Sequence, residues 1–163
     1  MKKLLMMMLL LSSSLAHAEP EARDVLSELG VNTTLKVLKE INFPASENQR
    51  AIHDGIVERY NWTTVGPVPH CSLNLNTIVD YDRAILAGTE LVVTKITKNL
   101  DLNNSDVKFE FSNPNITMNC VSRAPIFFDE RENPLGDPEM TIGQFEDHAR
   151  GIFEVILPQP VAI

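Results

Sequence analysis

Histidine next to aspartate is the feature of this sequence that comes nearest to a catalytic pattern. The pair occurs twice, as His53-Asp54 and as Asp147-His148. A histidine can exchange a proton near neutral pH, and a carboxylate bonded to its ring can orient it. Side chains of adjacent residues diverge on a helix, so neither dipeptide is by itself an acid–base pair. A hydrolase site would need partners from elsewhere in the fold, and the alternative is that both pairs lie on the surfaces of amphipathic helices.

Oxygen-rich turns form the second group of candidates, because hard cations bind oxygen ligands. The segment 101–106 carries such side chains at alternate positions. However, Asp106 stands where a calcium loop has glycine, and Ser112 stands where it has a bidentate glutamate. The turn Asp80-Tyr81-Asp82 has the groups to orient a ligand or metal, although aspartate is also a common turn residue.

The acidic stretch between Pro125 and Thr141 is the third candidate, since its five carboxylates could gather around a cation. They are Asp129, Glu130, Glu132, Asp137 and Glu139. A solvated acidic loop accounts for them without any special geometry. We predict no metal site and no cofactor, because none of these loops supplies a full ligand set.

The two cysteines, Cys71 and Cys120, are predicted to form one disulfide bond. Each lies in a run that alternates apolar and polar residues, which places every second side chain on one face of a strand. Both sulfur atoms are therefore expected to face the core and to join the first strand of a sheet to its last. Two buried free thiols are the alternative. Zinc is less favoured, because His70 beside Cys71 would point to the opposite face.

Residues 1–18 are predicted to be a signal peptide that is cleaved after Ala18. Lys2 and Lys3 precede the apolar run from Leu4 to Leu11, and small residues lead to the cleavage site. The apolar run is too short to span a bilayer, which argues against a membrane anchor. The short form with leading lysines is typical of bacteria, so the mature protein is expected to be periplasmic or secreted.

Charge and motif content exclude several classes of function. The formal net charge is −8, and it becomes −10 when Lys2 and Lys3 are removed with the signal peptide. A chain this acidic repels the phosphates of nucleic acids and anionic lipid headgroups, so we predict neither nucleic-acid binding nor membrane insertion. The sequence contains no phosphate-binding glycine loop, nucleophile elbow, metalloprotease histidine pair or dinucleotide fingerprint.

The mature chain, residues 19–163, is predicted to be a single α+β domain whose first part, 19–62, is helical. Apolar residues recur at helical spacing in 20–29, in 32–41 and in 46–60, where glycine or capping residues stand near the ends. The second of these segments also alternates in the manner of a strand. We favour helix there because it contains good helix formers.

The β-rich part, 70–122, is predicted to hold four to five antiparallel strands in a meander or small barrel, pinned by the disulfide bond. Strands are expected at 70–75, 89–97, 107–111 and 116–121. The second of them should contain a bulge, because its apolar parity shifts midway.

A closing part, 141–157, completes the predicted domain. Thr141 and Gln144 have the spacing of a capping box at the start of a helix. Later residues keep both helical spacing and strand alternation. We predict a C-terminal helix to about Arg150 followed by a short strand, with one continuous helix as the alternative.

No convergent catalytic set accompanies these fold signals. We therefore predict a non-enzymatic exported protein that acts as a binding or structural module, with a protein or a cell-envelope component as its partner. The alternative from a different class is a small periplasmic hydrolase with His53 or His148 as general base and an aspartate to orient it. A secreted inhibitor-like factor is a third hypothesis, which the sequence does not distinguish from the first.

Overall fold

Strands dominate the computed structural model of this protein, which describes residues 25–61, 63, 69–101, 104–122 and 139–159. In chain order the elements are a 3-10 turn at Leu26–Glu28, β1 (Thr34–Val37), β2 (Ile41–Phe43), β3 (Gln49–His53), β4 (Ile56–Arg59), β5 (His70–Leu75), β6 (Arg83–Ile85), β7 (Glu90–Asp101), β8 (Asn104–Phe111), β9 (Ile116–Val121), α1 (Ile142–His148) and β10 (Phe153–Ile156). The predicted signal peptide and most of the acidic stretch lie outside the described residues. Within those residues, no helix has the length and apolar character needed to cross a membrane.

Eight strands form one antiparallel sheet that curves into a half-barrel, in the order β10-β1-β7-β8-β9-β5-β3-β4. Strands β2 and β6 form a separate two-stranded sheet. Helix α1 contacts β5 and contributes Phe145 to the core. The protein is therefore mainly β, and the prediction of an α+β fold with N-terminal helices is wrong.

Residues 32–41, predicted as a helix, form β1 and the start of β2. Gly30 and Asn32 have φ values of 86° and 71°, so the chain turns there instead of entering a helix. Leu35 and Val37 are completely buried and alternate with half-buried neighbours. Strand β1 pairs with β10 on one side and β7 on the other, so the strand alternative is the correct one.

The helix predicted for 46–60 is instead the hairpin of β3 and β4. Its two-residue turn, Asp54-Gly55, has φ values of 49° and 74°, and aspartate–glycine is a strong hairpin signal. Ser46, the first residue of the predicted helix, has a φ of 65°, and its amide donates to the carbonyl of Val79 at 2.7 Å. The turn residues decide the structure here, because the spacing of the apolar residues fits a helix as well as a strand.

The helix predicted for 20–29 is also wrong where the structure describes it. Only a 3-10 turn forms at Leu26–Glu28, with Leu26 completely buried. The amide of Leu26 donates to the carbonyl of Met140 at 2.8 Å. A long-range bond to the segment before α1 thus takes the place of helical bonds.

The predicted strands of the β-rich part correspond to β5, β7, β8 and β9. Strand β7 continues beyond its predicted end, and its register with β8 shifts between Val93 and Lys95, which confirms the bulge. The number of strands was underestimated because β1, β3, β4 and β10, from outside this part, join the same sheet.

Cys71 and Cys120 form the predicted disulfide bond, and both are buried in the core together with Leu73, Phe109 and Met118. They lie directly opposite each other on β5 and β9. The position of the bond corrects one expectation. Because β5 and β9 are neighbours in the middle of the sheet, the bond links adjacent strands and not the first strand to the last.

The closing part of the chain agrees with the prediction. Thr141 and Gln144 make both bonds of a capping box at the start of α1. The helix ends at His148, Gly151 has a φ of 72°, and β10 then pairs with β1. A continuous helix is excluded.

Glu139 is the one member of the predicted acidic loop that the structure describes, and it is buried. Its Oε1 accepts a bond from the amide of Ser27 at 2.6 Å, and its Oε2 pairs with the ammonium group of Lys98. Burial acts to raise the pKa of the Glu139 carboxyl. The bonds from Lys98 and Ser27 and the charge of Lys98 outweigh burial, so the pKa lies below its usual value.

We expect the free energy of unfolding of Glu139→Gln to fall less on acidification than that of wild type. A carboxyl with a lowered folded-state pKa stabilises the fold above its unfolded pKa, and this contribution is lost as the pH falls through the folded pKa. Urea unfolding at about pH 6 and about pH 3 should show a smaller stability difference in the variant than in wild type. Exposed Glu146→Gln is the control. Equal pH dependence in wild type and Glu139→Gln would contradict this role for Glu139.

Candidate functional site

The structure brings both histidine–aspartate dipeptides to one place, because the β3–β4 turn docks on the end of α1. The amide of Gly55 donates to the carbonyl of His148 at 2.9 Å, and the amide of Asp54 lies 3.4 Å from Nδ1 of the same histidine. A Cβ at Gly55 would approach the carbonyl oxygen of Arg150 to 2.9 Å, so only glycine fits this contact.

Within this group, the carboxylate of Asp54 lies between two imidazoles. Its Oδ1 is 3.2 Å from Nδ1 of His148, and its Oδ2 is 3.8 Å from Nδ1 of His53. Nε2 of His53 lies 3.0 Å from Glu58 Oε1. Asp147 does not join the group but pairs with Arg150. The arrangement can orient two imidazoles, although the Asp54 side chain is 76% exposed.

Among the other sequence candidates, Asp82 has a structural role. Asp82 Oδ1 accepts a bond from the amide of Ala45 at 2.8 Å, which fixes the turn, while Asp80 and Tyr81 are exposed. Of the segment 101–106, Asp101 is the last residue of β7, and residues 104–106 belong to β8. Among the described residues, no group of three or more histidine, cysteine, aspartate or glutamate side chains is placed to hold a metal ion.

The rings of Tyr60 and His70 contact each other near the start of β5. Their rings lie 5.6 Å apart, and His70 is almost completely buried. Burial raises the pKa of the Tyr60 hydroxyl, and the negative charge of Asp106 adds to the effect. This pair joins the residue after β4 to the first residue of β5.

A cleft of about 450 Å³ opens between β4 and the segment that contains β2. It is lined by Lys39, Glu40, Asn42, Pro44, Glu47, Arg50, Val57, Glu58 and Arg59. Its volume is within the range of small-ligand sites in proteins. Six of these nine side chains are charged, three of each sign, so the cleft is polar.

Arg50 forms the floor of this cleft and is only 6% exposed. It lies opposite Leu73 of β5, a core residue, so its side chain belongs to the inward face of the sheet. Its Nε donates to the carbonyl of Asn42 at 2.6 Å, and its guanidinium carbon lies 5.7 Å from the centre of the Phe43 ring. A buried cation held in this way is costly unless it has a counter-charge.

Glu47 supplies that counter-charge and shares it with a second arginine. Its Oε2 lies 2.7 Å from Nη1 of Arg50, and its Oε1 lies 3.2 Å from Nε of Arg59. The Oε2 contact is an ion pair by distance, although its angles fall outside those of a well-formed hydrogen bond. One carboxylate thus faces two guanidinium groups, which leaves this corner of the cleft with a net positive charge.

Sequence reasoning did not find this cleft. Glu47 and Arg50 are three residues apart, which is also the spacing of an ordinary ion pair on a helix surface. The aspartate–glycine turn at 54–55 was the signal that could have revealed the hairpin. It would have placed Arg50 opposite Arg59 on adjacent strands.

Comparisons of this chain with models of protein families, with curated proteins and with solved structures find no match.

Proposed function

We propose that this protein is an exported, non-enzymatic binding module that holds an anionic group of its ligand between Arg50 and Arg59. Export is supported by the predicted signal peptide and is consistent with the disulfide bond. A binding role is supported by a cleft that is lined by a buried, charged side chain, Arg50. The ligand is part of a protein or of a cell-envelope component.

The observation that carries this proposal is the sharing of Glu47 by two guanidinium groups. Arg50 uses Nε on the backbone and Nη1 on Glu47, and none of the described hydrogen bonds comes from its Nη2. The side chain of Arg59 is 77% exposed, so most of its donors face solvent. Guanidinium donors match carboxylate and phosphate oxygens in geometry and charge. An incoming anion would complete the neutralisation of this corner.

The test is an NMR titration of the oxidised mature protein with succinate and with inorganic phosphate. We expect saturable shifts of the Arg50 and Arg59 side-chain signals, with roughly millimolar affinity for such small probes, weakened by added salt. Arg59→Gln should abolish the shifts without unfolding the protein, because this side chain is exposed.

Lys36→Gln is the matched control for that titration. It removes one positive charge from the exposed pair with Glu154 at the opposite side of the sheet, where Lys36 Nζ lies 3.8 Å from the carboxylate. The control should titrate like wild type. Equal loss of binding in both variants would show a general charge effect, and absence of any saturable shift in wild type would disprove the anion site.

A hydrolase remains the second candidate function, because Asp54 lies between two imidazoles. None of the described hydrogen bonds of this group involves a hydroxyl or thiol nucleophile, so the group would have to activate water directly. A p-nitrophenyl acetate assay tests this role. Hydrolysis by wild type that is lost in both His148→Ala and Asp54→Asn would favour the enzyme over the binding module.

A further inference from the structure

We infer that the ligand is an extended polypeptide segment that adds as a further strand to the free edge of β4. This inference rests on the proposed function, since the anionic group is taken to be an acidic side chain of that segment. Strand addition of this kind combines backbone hydrogen bonds at a sheet edge with pockets for alternate side chains.

The hairpin turn determines which backbone groups of β4 are free. In an antiparallel pair closed by a two-residue turn, the residues next to the turn exchange both of their hydrogen bonds. His53 and Ile56 are that pair, and hydrogen-bonded positions then alternate, so Glu58 also bonds to β3. The N–H and C=O groups of Val57 and Arg59 therefore point away from β3, toward the edge where no described strand pairs.

The same two residues present their side chains to the cleft. Val57 lies opposite Ile52, and Arg59 lies opposite Arg50, on the inward face of the sheet. A strand added along β4 would place two of its own side chains directly opposite Val57 and Arg59, on that same face. Backbone pairing and side-chain recognition would thus occur at the same positions.

This alternation predicts a sequence pattern in the ligand. The residue opposite Arg59 should be acidic, because it lies within reach of both guanidinium groups of the cleft. The residue opposite Val57 should be apolar. In the antiparallel orientation the ligand then reads acidic, any residue, apolar, and in the parallel orientation the order is reversed.

A second copy of this chain fits the edge poorly. In a two-fold antiparallel pair of β4 strands centred on Glu58, the two Glu58 side chains lie opposite each other. A pair centred on Arg59 opposes two arginines, and like charges directly opposite destabilise a sheet. Centring on Val57 leaves only residues 56–58 of the four-residue strand paired. An acidic segment from another protein has no such conflict.

The charged residues of β4 could have a different role, and the experiment must distinguish that role from ligand binding. Short edge strands with charged side chains prevent unwanted pairing in many proteins. In this protein the strand has four residues, two of them charged. If that is their whole role, no peptide will pair with β4, whatever its sequence.

The experiment uses the oxidised mature protein and a blocked peptide, Ser-Thr-Glu-Thr-Val-Thr-Ser, followed by NMR and amide hydrogen exchange. We expect the amides of Val57 and Arg59 to exchange quickly in the free protein and slowly in the complex. The amides of Ile56 and Glu58, which already bond to β3, are internal controls and should not change. The same peptide with glutamine in place of glutamate should bind about ten-fold more weakly, the loss expected for a charge-assisted bond.

Variants at one position separate backbone pairing from side-chain effects. Val57→Pro removes the outward N–H together with the valine side chain and should abolish peptide binding; proline is tolerated at edge positions whose N–H faces outward, so the fold should survive. Val57→Thr changes the side chain but keeps the N–H and should retain binding. If the proline variant fails to fold, amide exchange in wild type remains the test of backbone pairing.

The outcomes distinguish this inference from the proposed function. If succinate titrates Arg59 but the peptide gives no protection at Val57 and Arg59, strand addition is wrong and the anion site stands. If the peptide protects both amides equally well in Arg59→Gln, strand addition stands but Arg59 does not recognise the acidic side chain, and the anion site then depends on the succinate titration alone. Protection of these amides in the free protein, together with dimers in solution, would overturn the inference in favour of a second copy.

Discussion

Replacing Glu47 with glutamine should lower the free energy of unfolding by about 3 kcal/mol. Arg50 is 6% exposed, and its guanidinium has no other carboxylate partner among the described residues. Removing one partner of a buried ion pair leaves an uncompensated charge, which costs roughly 3–5 kcal/mol. The lower end applies because the Glu47 side chain remains 23% exposed. Urea unfolding followed by circular dichroism gives the measurement.

A double variant and a surface control make this prediction specific. Glu47→Gln combined with Arg50→Met should be more stable than Glu47→Gln alone, because apolar replacement of a buried ion pair is often neutral. Glu154→Gln breaks an exposed ion pair, in which the side chain of Lys36 is 41% exposed and that of Glu154 is 52% exposed. This substitution should lower the free energy of unfolding by at most about 1 kcal/mol. Equal effects of Glu47→Gln and Glu154→Gln would contradict the burial argument.

The same variant connects stability to the proposed function. In Glu47→Gln two guanidinium groups have lost their shared carboxylate, so an added anion can take its place. Succinate or phosphate should therefore restore part of the lost stability, because a ligand that binds only the folded state stabilises it. Wild type should gain less from the same addition. No difference between the two proteins would argue against an anion site at this corner.

Alternation in the sequence was informative where one face of each strand is buried and the other is not. In β9 every second residue is buried, so the pattern identifies both the strand and the inward face of Cys120. In β3 this contrast is absent: Ala51 and Ile52 are both buried, on opposite faces. A continuous buried run fits a helix as well as a strand, and periodicity alone does not separate them.

Strand β4 was missed for the opposite reason. None of its residues is fully buried, so no face is marked by apolar side chains. Its place in the sheet follows from the turn at Asp54-Gly55 and from the docking of that turn on α1. Aspartate–glycine was visible in the sequence, whereas the docking partner lies far along the chain, at His148.

The two candidate sites differ in how much of them the sequence reveals. His53, Asp54 and His148 are recognisable by residue type, but only the tertiary fold places them together. Six of the nine residues that line the cleft are ordinary charged residues, and the sequence does not show which of them is buried. Arg50 is distinctive only because it faces the core beside Phe43, which no local pattern indicates.

Removing the disulfide bond should lower the free energy of unfolding by roughly 2–5 kcal/mol, with a folded protein remaining. Cys71 and Cys120 are 49 residues apart in the sequence, and closing such a loop restricts the unfolded chain by about 4 kcal/mol in the chain-entropy model. The sheet should persist, because β5 and β9 still pair along six residues and β9 also pairs with β8.

Two ways of removing the bond separate its contributions. Wild type reduced under denaturing conditions and then refolded in reductant loses the cross-link but keeps both sulfur atoms. The double variant Cys71→Ala/Cys120→Ala also loses buried volume from the core, which adds a cavity cost. We therefore expect the order of stability to be oxidised wild type, reduced wild type, then the double variant, measured by urea unfolding at one pH. If reduced wild type matched the oxidised protein, the cross-link would contribute nothing, and packing of the two sulfur atoms in the core would be the whole role of this pair.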